Sequence, residues 1–214
     1  MDESLRLQAR TAQLELRAGA LRGAALFERL LAVPLLERDA WVDELLGLEA
    51  PPPDIADLPR GAVPYLPCGV DEILTLVREL PLRASDELVD LGSGLGKVVI
   101  LAHLLCGARA SGVEIQAPLV HRARARCAEL GLDTLSFRHA NIADTELDGS
   151  VFFLYSPCNG ELLKAVLGRL ENVAHRRAIA VCAVGFELHG VSWLRARNTS
   201  NVSLTLYASR QPRR

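Results

Sequence analysis

The chain has 214 residues, 50% hydrophobic and 23% charged, with a formal net charge of -2 and a pI near 6.2. That apolar mass excludes a disordered chain, and this length buries a core without disulfide or metal staples. The near-neutral balance excludes a global basic field that would draw in a polyanion.

Five cysteines, at 68, 106, 127, 158 and 182, lie far apart, with no C-x-x-C and no histidine at ligand spacing. Neither a metal site nor a disulfide framework is expected. The odd count fits a reducing compartment. The N-terminus starts acidic, without a basic region or long apolar stretch, so no signal peptide is read. No run reaches the ~18 apolar residues of a membrane span. A cytoplasmic protein off the membrane is the expectation.

The first stretch, residues 4–31, lacks proline and is rich in Ala, Leu, Arg and Glu. Leu14, Ala18, Leu21 and Ala25 recur at helical spacing, which predicts an amphipathic helix. Gly19 and Gly23 weaken it or admit another helix closely. Pro34 interrupts it and opens a second helix to about Leu48, predicted to bury Leu35, Leu36, Trp41, Leu45 and Leu46. Pro51-Pro52-Pro53 is a stiff break, and the irregular stretch runs on through Pro64. The reading is a helical cover or dimerisation region over 1–50, a proline-rich linker over 51–64 and a main domain over 65–214.

A helix is predicted from Asp71 to just before Pro81, its N-terminus suited to Asp71 and Glu72. Strands and helices then alternate. Strands are expected at 87–91, 110–115, 134–139, 151–155 and 178–184, and helices at 97–106, 118–130 and 161–170. The stretch 191–209 alternates like a closing antiparallel hairpin. This order predicts an α/β fold with a doubly wound, mostly parallel, seven-stranded sheet.

The strongest local signal is Asp90-Leu91-Gly92-Ser93-Gly94-Leu95-Gly96, between a strand and a helix. Glycines allow a sharp bend and close ligand approach, although they also serve strand–helix packing. Three details narrow the ligand. Lys97 stands where a dinucleotide fingerprint wants its third glycine. Asp90 would repel a pyrophosphate but accept from an ammonium. Glu114 ends the next strand, where an acid grips ribose hydroxyls. A ligand with a ribose, an ammonium and no phosphate satisfies all three, and S-adenosylmethionine is such a ligand.

Here the chain resembles the class I S-adenosylmethionine-dependent methyltransferases, whose first motif looks like DLGSGLG and whose second strand ends like GVE. The resemblance covers about 65–209. It implies that Asp90, Gly92 and Gly94 line the methionine part of S-adenosylmethionine, that Ser93, Gly96 and Tyr65 also belong to the cofactor site, and that Glu114 binds its ribose. Where the family carries Gly-Asp for the adenine amine, this chain has Ala140-Asn141, with Asp144 as a fallback and Ile142 packing on the ring. The plainer reading makes Glu114 a surface acid and Asn141 and Asp144 turn formers. Tyr65-Leu66-Pro67-Cys68 loosely resembles the segment of the non-SET histone-lysine and bacterial protein-lysine methyltransferases in which a Tyr closes over the cofactor. The Thr or Glu that follows it there is absent.

The fourth strand ends in Tyr155-Ser156-Pro157-Cys158-Asn159. Ser156-Pro157 matches the first half of the Asn/Asp/Ser-Pro-Pro-aromatic segment of amino-methylating relatives, and the aromatic is missing. Tyr155 and Ser156, then Asn159, are the candidates for positioning the acceptor. With no aromatic to stack on a flipped base and no basic stripe, nucleic acid is not expected as partner. Arg210, Arg213 and Arg214 make only a short basic tail. The expected acceptor is an O or N of a small molecule, with a protein lysine as alternative. An NAD-dependent oxidoreductase is disfavoured by Asp90 and Lys97. A non-catalytic cofactor-binding module stays open because Ser156-Pro157-Cys158 is degenerate. The N-terminal helices are expected to form a lid or a homodimer.

Overall fold

In the computed structural model, residues 1–83 and 85–210 are described; Arg213 and Arg214 of the expected basic tail lie outside them. The strands are β1 Glu87–Leu91, β2 Arg109–Glu114, β3 Ser136–His139, β4 Val151–Tyr155, β5 Ala180–Val184, β6 Leu194–Asn198 and β7 Leu204–Ser209. They form one sheet of order β3-β2-β1-β4-β5-β7-β6. Strand β7 runs antiparallel to both neighbours, and the other pairings are parallel. The doubly wound sheet and its closing hairpin are therefore as expected. The period-2 geometry of a strand divides its residues between two faces. Leu88, Val151, Phe153 and Cys182 face one hydrophobic cluster, and Val89, Leu91, Phe152, Leu154 and Val181 face the other. The run Val151–Leu154 is apolar because both of its faces are covered.

The helices are α1 Glu3–Arg17, α2 Gly23–Ala32, α3 Arg38–Leu46, α4 Val70–Glu79, α5 Lys97–Cys106, α6 Ala117–Glu129 and α7 Gly160–Ala174. Helix α7 packs into the second cluster, and α4, α5 and α6 into the first.

The expected single helix over 4–31 is instead two helices, α1 and α2. Gly19 adopts φ +76, and the N–H groups of Gly19 and Ala20 close onto the carbonyls of Leu16 and Glu15, both at 2.9 Å. A left-handed glycine with such backward bonds ends a helix. The buried face also differs. Ala9, Ala12 and Leu16 are fully buried, whereas Leu14 is 67% exposed and Ala18 and Ala25 face solvent. The second correction concerns Leu35 and Leu36, which are 62% and 94% exposed. Pro34, extended, precedes a 3-10 turn at Leu35–Glu37, so α3 starts later than the sequence implied and these two residues fall outside its apolar stripe. Trp41, Leu45 and Leu46 are buried as expected.

Arg38 makes this arrangement hold. Its buried guanidinium donates to the carbonyls of Leu30 at 2.9 Å and Val33 at 3.1 Å, and it pairs with Asp71 at the start of α4. Carbonyls that the end of α2 leaves open are thus satisfied, and three helices are joined. Leu26, Leu30 and Trp41 share one cluster with Val99 and Leu101 of α5. The first 50 residues are continuous with the core of the sheet domain. Truncating Trp41, 1% exposed, costs about 3–5 kcal/mol.

Candidate active site

The chain runs from β1 outward to β2 and β3 on one side, then crosses to β4 on the other. The crevice at this switch lies beyond the C-terminal ends of β1 and β4, where such sheets bind ligands. The glycine loop follows β1 and Tyr155–Pro157 follows β4, so both predicted halves of the site meet there.

The loop is folded back on β2. The N–H groups of Gly92 and Ser93 both donate to the Val113 carbonyl, at 2.8 and 3.1 Å. Gly94 has φ +52, and a Cβ on it would lie 2.1 Å from the Tyr65 ring. A Cβ on Gly92, with φ +90, would lie 2.7 Å from Pro157. Glycine is thus required at both places for conformation and for space. Gly96 instead packs on the Phe137 ring, beneath the loop. Ser93 also turns inward against Gly112, its buried hydroxyl without a hydrogen-bond partner among the described residues. Ser93 and Gly96 therefore shape the loop from below and do not line the crevice.

Two acids define the cofactor half. Glu114, buried, accepts the Gly94 N–H and the Gln116 N–H, each at 2.9 Å, one on each carboxylate oxygen. Each oxygen keeps a further lone pair, enough for a diol. Asp90 is 2% exposed, and its carboxyl is pushed well above the usual range by burial and then by Glu114. A buried acid held this way is stabilised by an arriving cation. Such a pair fits a ligand with one ammonium and one ribose.

A cleft of about 70 Å³ runs from Gly92 and Glu114 to Asn141, Ile142, Tyr155 and Ser156. Asn141 is partly spent on its own turn: its amide oxygen accepts the Ala143 N–H at 3.0 Å and its amide nitrogen donates to Asp144 at 2.8 Å. Asp144 is exposed, supports Asn141 and stays out of the cleft wall. Tyr65 covers the cleft from the proline-rich segment, and burial pushes its phenol up to about 12, partly offset by the Leu95 N–H. Gln116, 3% exposed in the cleft wall, was missed by the sequence reading because no motif marks it.

On the acceptor half, Ser156 has φ +42, the one non-glycine in that region among the described residues. Its hydroxyl donates to the Val184 carbonyl at 3.1 Å. That bond holds a strained turn and spends the hydroxyl on positioning. Asn159 does not reach the cleft. It is exposed at the start of α7, and its backbone N–H donates to the Gly61 carbonyl at 2.8 Å. Cys158 is buried and its thiol is pushed up to about 11, which makes it inert.

Tyr155 lines the cleft, and its phenol is raised by burial and then by Cys68, Glu72 and Asp39. Those two acids come from α4 and α3, far from β4 in sequence. Their carboxylates converge on Gly69, where a Cβ would lie 2.4 Å from Glu72 Oε2 and 3.9 Å from Asp39 Oδ2. Asp39 also accepts the Val70 N–H at 2.9 Å. Lys97, 5% exposed, pairs with Asp43 at 2.7 Å and Asp39 at 3.6 Å and so ties α3 to the glycine loop. Among the described residues no cluster of His, Cys, Asp and Glu could hold a metal ion, and no helix is long and apolar enough to cross a membrane.

The family model "Histone methylation protein DOT1" matches residues 68–142, about a third of the chain, from α4 through the glycine loop and Glu114 to Ile142. No curated protein matches the sequence. Among solved structures, an RNA methyltransferase from Salinibacter ruber in complex with S-adenosyl-L-homocysteine is similar at 26% identity and a TM-score of 0.55, over 70% of this chain and 95% of that one. The mitomycin 7-O-methyltransferase MmcR (13%, TM-score 0.51) covers 67% of this chain and 55% of its own. MtNAS in complex with MTA and tNA (16%, TM-score 0.52) covers 66% and 61%. The last two show the fold alone. Sheet order, glycine loop, paired acids and these similarities agree: the chain is a class I S-adenosylmethionine-dependent methyltransferase.

Proposed function

We propose that the chain methylates an amine on a cationic acceptor, and that a protein lysine is the acceptor that fits best. One observation carries this reading: the carboxylates of Asp39 and Glu72 converge at Gly69, and their charge raises the phenol of Tyr155 at the β4 end of the cleft. The Asp39 side chain is 58% exposed, so a cation can meet it from solvent. Carboxylates there attract an ammonium and gain nothing from a neutral hydroxyl. A small basic metabolite answers the same charges and forms the other arm of the test. An RNA acceptor is disfavoured by the net charge of -2 and by these acids.

Bound S-adenosylmethionine supplies a methyl already activated on a sulfonium. Glu114 would take the ribose hydroxyls and Asp90 the ammonium, while Gly92 and Gly94 would let the backbone come close. Asn141 and Ile142 form the far wall for the adenine. Tyr155 and the Ser156 turn hold the acceptor nitrogen in line with the methyl, and alignment supplies most of the acceleration. The nitrogen must first lose its proton to solvent, because only its lone pair can form the new C–N bond; the methyl–sulfur bond would break in the same displacement, its electron pair returning to the sulfur of the departing S-adenosylhomocysteine. The rate should therefore climb as pH rises through about 7–10 toward the lysine pKa.

The test supplies methyl-labelled cofactor with protein extract and, separately, with the small-molecule fraction. Label on lysine nitrogen, with Asp39→Asn plus Glu72→Gln raising the acceptor KM about 10-fold at unchanged cofactor affinity, is the expected result. Label only in the small-molecule fraction, or on oxygen, overturns the lysine reading.

A further inference from the structure

We infer that Gln116 is the pin of a strap, residues 54–66, laid across the cofactor pocket, and that it sets how fast the cofactor enters and leaves. The inference rests on the cleft being the cofactor site. It concerns a residue that need not take part in methyl transfer.

The strap crosses from the tip of β2 to the tip of β4. At the β4 rim it is held by backbone alone. The Val63 N–H donates to the Pro157 carbonyl at 3.1 Å, the Asn159 N–H donates to the Gly61 carbonyl at 2.8 Å, and Ala62 bridges Cys158. At the β2 rim it is held by one buried side chain. The Gln116 amide oxygen accepts the Ile55 N–H at 2.9 Å, and its amide nitrogen donates to Asp54 Oδ1 at 2.6 Å. Both ends of the amide are thus spent on the strap.

These contacts close into a ring. The Asp54 oxygen that takes Gln116 also accepts the Tyr65 N–H at 2.9 Å. These two donors hold the Asp54 carboxyl below its usual range. The Tyr65 ring lies on Gly94, whose N–H donates to Glu114. The other Glu114 oxygen accepts the Gln116 N–H and completes the circuit. The position of Tyr65 over the glycine loop therefore depends on Gln116. Asp54 is exposed, so water can replace its bonds; Gln116 is 3% exposed, and its loss removes both of its bonds to the strap at once. Residues 62–66 form one wall of the cleft and the Tyr65 ring lies against the glycine loop, so an adenosyl-sized ligand displaces the strap as it enters or leaves. The β2 rim, held by side chains, is the side that opens.

The experiment measures S-adenosylhomocysteine affinity by calorimetry and release by stopped-flow displacement, on the wild-type chain, Gln116→Ala, Gln116→Glu and Gln116→Glu with Asp54→Asn. Gln116→Ala should release the ligand about 10-fold faster and raise the cofactor KM far more than it lowers kcat. Gln116→Glu sets two carboxylates against each other and should also speed release. Adding Asp54→Asn restores a donor–acceptor pair and should bring release back toward the wild-type rate, a rescue that general loss of stability does not produce. Wild-type release from Gln116→Ala overturns the inference. If that variant does not fold, absence of rescue in the paired variant overturns it. A wild-type chain that binds no S-adenosylhomocysteine overturns the cofactor site, and the pin with it.

Discussion

The two halves of the crevice are built differently. On the β1–β2 side the parts are close in sequence: Asp90, Gly92, Gly94 and Glu114 lie within one strand–loop–helix–strand unit, and backbone N–H groups hold the key carboxylate. On the β4 side the parts come from distant segments: Asp39 from α3, Glu72 from α4, Tyr155 and Ser156 from the end of β4, and Val184 from β5. In the proposed reading, the fixed ligand is met by a local, backbone-built site and the acceptor by side chains that only folding assembles. This division predicts that damage to the first half costs affinity for the cofactor, and damage to the second costs turnover or acceptor affinity.

The largest effect should come from Gly94→Ala. The new Cβ meets the Tyr65 ring at 2.1 Å and the residue must keep φ +52, so S-adenosylhomocysteine binding should weaken about 100-fold or more by calorimetry. Retained affinity would mean that the strap is not seated on the loop. Next is Tyr155→Phe, expected to lower kcat about 10-fold with cofactor affinity within twofold, which sharpens the division. Wild-type turnover would clear this hydroxyl of a role. The smallest effect has two opposite signs. Asp90→Asn should weaken cofactor binding yet raise the melting temperature of the ligand-free protein by about 2–4 °C at pH 7. The folded pKa of Asp90 lies above the unfolded value, so the unfolded chain loses its proton first. The wild type therefore loses stability as pH rises from about 4 toward the raised value, and the gain from Asn should vanish at pH 3. A variant less stable at pH 7 would show that Asp90 already has a partner in the free protein.

The strands at 87–91 and 151–155 and the helix at 97–106 were legible because pattern and punctuation coincide there. Apolar runs mark buried strands, and glycine or an acid marks their ends. The N-terminal region was not. Leu14 and Leu36 have the right residue type for a core but lie on faces that none of the described residues covers, while Ala9 and Ala12 are buried because small residues admit a close neighbour. Periodicity says that a face exists, and packing decides which face is used. The same reason separates the site residues. Gly92, Gly94 and Glu114 could be named from the motif. Ser93 and Gly96 belong to it but turn beneath the loop. Asn159 follows the Ser-Pro segment, yet it anchors the strap with its backbone.

By itself, then, the sequence determined the order of strands and helices, the glycine loop after β1 and the acid that ends β2, to which the proposed reading gives the cofactor. Each follows from contacts between residues near one another in the chain, and local chemistry suffices to specify them. Only the tertiary structure joined the first 50 residues to the core, bonded the proline-rich segment to Gln116 and set Asp39 beside Glu72 at Gly69. The Gln116 bonds link residues 61 and 62 apart, which no local pattern encodes and only the closing of a shared core can bring together.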